Sequence, residues 1–281
     1  MRSANIAAGI ALAAASCQSR EPRDARAIPT TDVVVERPRA PENDAPLFIA
    51  ITKEGIEFDA KRVVELEPNP TDGAGPVYKR NGPDDLYVVP LHGALLAAQQ
   101  SGRLARHTSD AQARLEIRVH PDTPYRVLFE VLYTAGQTEL SRFDLRDSVS
   151  TGDTIATELP AVPGPGATPA PATDPATLDL TAIVTLEGVA FKTSHGNIAA
   201  GCGGIGAGVT VPRFDYEIES QKVGDCARRL RARYKVAATD NTFVLVANKD
   251  TPFRDVFRAV RAMRGSKEAP MFTQVRFGVA R

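Results

Sequence analysis

Between residues 47 and 147 the apolar positions change period in a fixed order. Ile49 to Thr52 and Ile56 to Phe58 are short apolar runs on either side of Gly55, a pattern that predicts a hairpin whose turn needs positive φ at the glycine. Leu91, Leu95, Ala98 and Leu104 then make an apolar face at helical spacing. Leu115 to Val119 reads as a strand, Tyr125, Leu128, Phe129, Leu132 and Tyr133 return to the helical period, and Arg142 to Leu145 close the unit as a strand. Residues 179 to 281 repeat the order. Ala182 to Thr185 and Val189 to Phe191 flank Gly188, and Val223, Cys226, Ala227, Leu230 and Tyr234 form a helical stripe. Phe243 to Ala247 form a strand, Phe253, Val256, Phe257 and Val260 a second stripe, and Gln274 to Val279 the last strand.

The wording repeats as well as the period. ITKEGIEF at 51 to 58 matches VTLEGVAF at 184 to 191, LEIRV at 115 to 119 corresponds to FVLVA at 243 to 247, and DTPYRVLF at 122 to 129 matches DTPFRDVF at 250 to 257. Three blocks in one order indicate an internal duplication. The expected fold class is α+β, with two tandem small modules, each a mixed sheet with two helices packed on one face, joined by a Pro/Ala-rich linker. In both DTP phrases Thr123 and Thr251 suit a helix N-cap, Pro124 and Pro252 the first helical position, and Asp122 and Asp250 the positive helix end.

Composition adds a compartment. Lys plus Arg and Asp plus Glu number 34 each, so no basic excess points to nucleic acid. The first 17 residues place one arginine before an apolar stretch from Ile6 to Ala15 and end in the lipobox-like AASC, with Ala14 where a leucine is usual. This is the layout of a signal peptide, and Cys17 is the expected lipidation site; an ordinary signal peptide cut nearby is the alternative. Residues 18 to 46 read as an extended tether and residues 148 to 178 as a Pro/Ala/Thr-rich linker, leaving modules at 47 to 147 and 179 to 281. In an oxidising compartment Cys202 and Cys226 are expected to form a disulfide. Two buried free thiols, or a metal site completed by His195, are the other readings of the pair.

No catalytic constellation emerges. His92, His107, His120 and His195 fall in different elements without metal-ligand spacing, and the run GCGGIGAG at 201 to 208 lacks the Lys-Ser/Thr of a phosphate loop. Asp122 and Asp250 could be a pair of acids contributed by the two repeats, but helix capping accounts for both. The expectation is a non-enzymatic chain without cofactor or metal.

The order of these motifs resembles the periplasmic domain of the ExbD/TolR biopolymer-transport family: a strand and turn of the type ITKEGIEF, a helix, a strand such as LEIRV, a D-x-P-Y/F-like helix start, an amphipathic helix and a final strand of the type VRFGV. The resemblance covers both modules. In that family a transmembrane helix carries an essential aspartate and works with an ExbB/TolQ-type proton channel; here the segment from Ile6 to Ala15 has no acid and is short of the ~20 apolar residues a span requires. The resemblance therefore implies an accessory interaction module of a proton-motive-force-linked transport or envelope complex. It would be lipid-anchored on the periplasmic side of a bacterial envelope, with ExbB/TolQ-type motor subunits, other envelope proteins or peptidoglycan as partners. A secreted cell-wall or ligand-binding lipoprotein unrelated to a motor is the alternative.

Overall fold

The computed structural model describes residues 47 to 279 except 69, 71, 110 to 112, 150 to 152, 160 to 177, 235 to 240 and 267. The leader at 1 to 17 with Cys17, the tether at 18 to 46 and residues 160 to 177 of the linker lie outside the described residues.

Each half opens with a hairpin fixed by one threonine. Strand β1 (Phe48–Ile51) turns into β2 (Gly55–Phe58) where Thr52 Oγ1 accepts the Gly55 N–H at 3.0 Å. Strand β7 (Thr181–Val184) turns into β8 (Gly188–Thr193) where Thr185 Oγ1 accepts the Glu187 N–H at 3.2 Å. Gly188 has the expected positive φ, 148°, but Gly55 is not among the positive-φ residues. The two glycines share a different need. A Cβ on Gly55 would stand 2.3 Å from the Val64 carbonyl, and one on Gly188 2.2 Å from the Val211 carbonyl, so each glycine lets a neighbouring strand approach.

Strand β3 (Lys61–Glu65) and helix α1 (Val89–Gln100) follow in the first half, then the short α2 (Ala105–Ser109), β4 (Leu115–Val119), α3 (Tyr125–Gly136) and β5 (Arg142–Asp147). Strand β6 (Thr154–Glu158) comes next. The second half continues from its hairpin with β9 (Gly196–Asn197), β10 (Val211–Pro212), α4 (Ser220–Arg233), β11 (Thr242–Ala247), α5 (Phe253–Arg264) and β12 (Gln274–Phe277). Among the described residues the fold is thus mixed α+β, with five helices and one sheet of 12 strands in the order β10-β8-β7-β11-β12-β6-β5-β4-β1-β2-β3, β9 pairing with β8.

The segment expected to be pure linker supplies the strand that joins the halves. β6 runs antiparallel to β5 and parallel to β12, and Thr157 Oγ1 donates to the Val275 carbonyl at 2.8 Å. The two expected modules therefore share one continuous sheet.

The helices cover one face. Leu115, Ile117 and Val119 of β4, and Phe243, Leu245 and Ala247 of β11, are buried, while the intervening residues of both strands are partly exposed on the other face. Along α3 nearly every side chain from Tyr125 to Ala135 is buried, because the helix packs on the sheet, on α1 and on α5. Tyr133, expected in its apolar stripe, is 38% exposed. Leu104 is buried beyond the end of α1, where Gly102 at φ 77° turns the chain back, and Tyr234 caps α4 instead of continuing it.

Candidate functional site at the paired turns

The two DTP phrases meet. Pro124 and Pro252 face each other in an isolated antiparallel bridge, and the backbone around them bonds reciprocally. The Tyr125 N–H donates to the Thr251 carbonyl at 2.8 Å, and its counterpart Phe253 N–H donates to the Thr123 carbonyl at 2.8 Å. Arg126 N–H bonds the Lys249 carbonyl at 3.0 Å and Arg254 N–H the Pro121 carbonyl at 2.9 Å. Every donor and acceptor has its equivalent in the other half 128 positions along the chain, the arrangement of a two-fold interface in which residue i meets j and j meets i.

This corrects the capping expectation. Helices α3 and α5 start at Tyr125 and Phe253, with Pro124 and Pro252 in the N-cap position at extended ψ, and neither end has a side-chain cap. Thr123 and Thr251 are buried with their hydroxyl oxygens unpartnered. The first amides of a helix have no intrahelical acceptor, and here carbonyls of the other half take them. Tyr125 extends the link: its hydroxyl donates to the Gly278 carbonyl at 2.6 Å, and burial pushes its pKa far up, which keeps the donor protonated.

Asp122 and Asp250 lie at the rim. Asp122 pairs with Arg254 across the junction and approaches Lys53 Nζ at 3.7 Å, while its N–H donates to His120 Nδ1 at 3.1 Å. A cleft of about 400 Å³ opens beside them, walled by Leu66 and lined by Thr52, Lys53, His120, Asp122 and Asp250. At the other edge of the junction Lys249 binds Asp72 at 2.7 Å; that contact holds the lysine pKa up and the aspartate pKa down.

The remaining candidates sit apart. His92 lies against the Tyr87 ring with its centroid 4.9 Å away, and His195 stacks on Tyr234 at 4.6 Å. His107 is on α2. Among the described residues no group of three His, Cys, Asp or Glu side chains is placed to hold a metal ion. No helix among them is long and apolar enough to cross a membrane.

Cys202 and Cys226 are at disulfide distance, their Cα atoms 5.6 Å apart, which ties the glycine-rich loop to α4. The loop presents carbonyls to that helix: Arg229 Nη1 donates to Gly201 at 3.4 Å and Arg233 Nη2 to Gly203 at 3.3 Å. A phosphate cradle would present N–H groups instead.

Two buried ion pairs had no signal in the periodicity. Glu130 on α3 receives Lys79 Nζ at 2.5 Å, Arg126 Nε at 2.6 Å and the Ala74 N–H at 2.8 Å. Burial pulls the Lys79 pKa down, and contact with Glu130 opposes that. In the second half Asp255 on α5 receives Arg213 Nη1 at 2.8 Å, and Arg213 Nη2 also donates to the Thr185 carbonyl at 3.0 Å. A charged residue inside an otherwise apolar helical stripe was the only clue at either place.

Comparison with protein-family models, with curated proteins and with solved structures finds no match to the chain.

Proposed function

We propose that the chain is a non-enzymatic envelope protein resembling the periplasmic part of ExbD/TolR transport proteins, and that it acts as an accessory interaction module of a proton-motive-force-linked complex. The observation that carries this reading is the order hairpin, helix, strand, helix, strand, which both halves contain, with β3 and the short α2 added in the first and β9 and β10 in the second. In each, the D-x-P phrase stands at the start of the second main helix. That order of motifs carries the resemblance, which concerns architecture, and one architecture serves many functions. Lipid anchoring at Cys17 and a periplasmic location belong to the same proposal. Gentle crosslinking followed by affinity purification from membranes should recover ExbB/TolQ-type subunits or other envelope proteins. Recovery of none of these contradicts the reading.

The cleft beside the paired turns favours one second reading, a cell-wall or ligand-binding lipoprotein. Lys53, Asp122 and Asp250 set charges of both signs around an opening of about 400 Å³, a size that fits a small polar fragment of a wall polymer. Retention of the chain on peptidoglycan without added protein, and its loss in Lys53→Ala with Asp250→Ala, would support that reading over the first.

A further inference from the structure

The junction has the form of a self-recognition surface. Its four main-chain bonds run in two equivalent pairs, Tyr125 with Phe253 and Arg126 with Arg254, and the prolines between them face each other. Main-chain bonds of this kind depend on the path of the backbone, so they select a partner of the same fold. Side chains then add strength. Tyr125 reaches the Gly278 and Leu245 carbonyls of the other half, at 2.6 and 3.3 Å, and Asp122 pairs with Arg254.

Strand β6 adds a second contact between the halves. It hydrogen-bonds β5 on one side and meets β12 on the other, where Arg264 Nη1 donates to the Thr154 carbonyl at 2.7 Å and Arg261 pairs with Asp153 at 2.6 Å. None of these contacts requires that the halves belong to one chain. From Leu159 to Leu178 the connection has 18 residues, enough to span about 60 Å, while the ends it must join are much closer. Strands β6, β12, β11 and β7 are parallel neighbours whose registers set Thr157 level with Leu180, so Leu159 lies about 14 Å to the side of Leu178 and about 13 Å from it along the strand direction.

The geometry points to a surface, formed by Pro121 to Arg126 with Lys249 to Arg254, that recognises a module of this same fold, and to a second copy of the chain as the partner that can supply it. When the connection is too short to close within one chain, the first half of one copy pairs with the second half of another, an exchange of modules between chains. This inference is independent of the envelope function proposed above, since it concerns pairing between copies and not a motor or wall partner.

Deleting residues 161 to 176 tests it. The remaining link spans at most about 11 Å, less than the separation it must bridge, so the shortened chain cannot pair its own halves. Light scattering during gel filtration should give twice the chain mass, with the far-UV circular dichroism of the parent. A species of single chain mass, folded or half folded, overturns the inference. If the shortened chain precipitates, a protease site placed within 161 to 176 of the full chain decides the matter after folding and cleavage. The two fragments should co-elute at micromolar concentration, and Tyr125→Phe should raise their dissociation constant about tenfold. Fragments that separate without the substitution, or that hold equally well with it, overturn the inference.

Discussion

The two halves of the sheet share their main strands and helices but hold their long loops by different chemistry. In the first half the segment between β3 and α1 is pinned from inside: Glu130 binds Lys79 and the Ala74 amide, and Thr134 Oγ1 accepts the Val88 N–H at 3.0 Å. In the second half the segment between β8 and α4 is pinned by Cys202–Cys226, with Arg213 and Asp255 as a smaller buried pair. The helix-free faces differ too. Over β4, β5 and β6 it carries a lattice of ion pairs, among them Arg118 with Glu116 at 2.8 Å and Arg114 with Glu158 at 3.1 Å, and the Arg118 guanidinium lies 3.9 Å from the centre of the Phe48 ring. Over β7 and β11 the corresponding positions are Ile183, Val244 and Val246. The two halves share the backbone that forms the junction and differ in how each anchors its loops and dresses its outer face.

The largest effect should come from the buried charge of the first half. Glu130→Ala leaves Lys79, whose side chain is 0% exposed, without its counter-ion, which costs about 3–5 kcal/mol. Asp255→Ala leaves Arg213 with two backbone carbonyl partners and should cost less, about 2 kcal/mol. Urea unfolding of both variants measures the difference, and equal losses would mean that the two anchors are equivalent after all. Next in size, Cys202→Ala with Cys226→Ala should cost about 3 kcal/mol through the unfolded chain. The gain in hydrogen exchange should be confined to residues 196 to 212 and α4; loosening of residues 72 to 88 as well would show that the loops are not anchored independently.

The smallest effect is a pH dependence seated in the first half. Burial holds the pKa of His92 and of His107 below the ordinary 6.5, with Arg80 and Arg106 adding to it. Between the lowered value and 6.5 the unfolded chain binds protons that the native chain does not, so stability falls as pH drops through that window. Asp144 acts with the opposite sign: burial raises its pKa above 3.8, against Arg114 and Arg146, so the native state takes up its proton first on acidification. The loss of stability between pH 7 and pH 5 should therefore shrink in His92→Gln with His107→Gln, measured as urea midpoints. An unchanged loss assigns it to other groups.

Much of this was legible in the chain. Strands β1, β4, β7 and β11 follow runs of Ile, Leu, Val and Phe, and the four long helices follow apolar stripes, because burial on one face imposes its period on the sequence. β6 was hidden. Thr154 to Glu158 offers Ile155 as its one large apolar side chain and sits next to the proline-rich stretch, so its pairing comes from two neighbours already in place. The DTP phrase has the form of a local cap because Thr and Pro have that use in most helices, whereas the amides of Tyr125 and Arg126 are satisfied by Thr251 and Lys249 of the other half. Lys79 and Glu130 gave no sign of meeting, since long-range ion pairs leave no period. The cleft brings Leu66 together with Lys53, His120, Asp122 and Asp250, residues distant in sequence whose meeting no local pattern encodes.

The junction between the paired turns is the centre of the account, and native-state hydrogen exchange of four amides tests it most directly. Tyr125, Arg126, Phe253 and Arg254 open their helices, where amides without an intrahelical acceptor ordinarily exchange fast. The reciprocal bonds to Thr251, Lys249, Thr123 and Pro121 predict slow exchange at all four, approaching that of Ile117 and Leu245 in the sheet core. Fast exchange at these amides, with the helices behind them still protected, would contradict it.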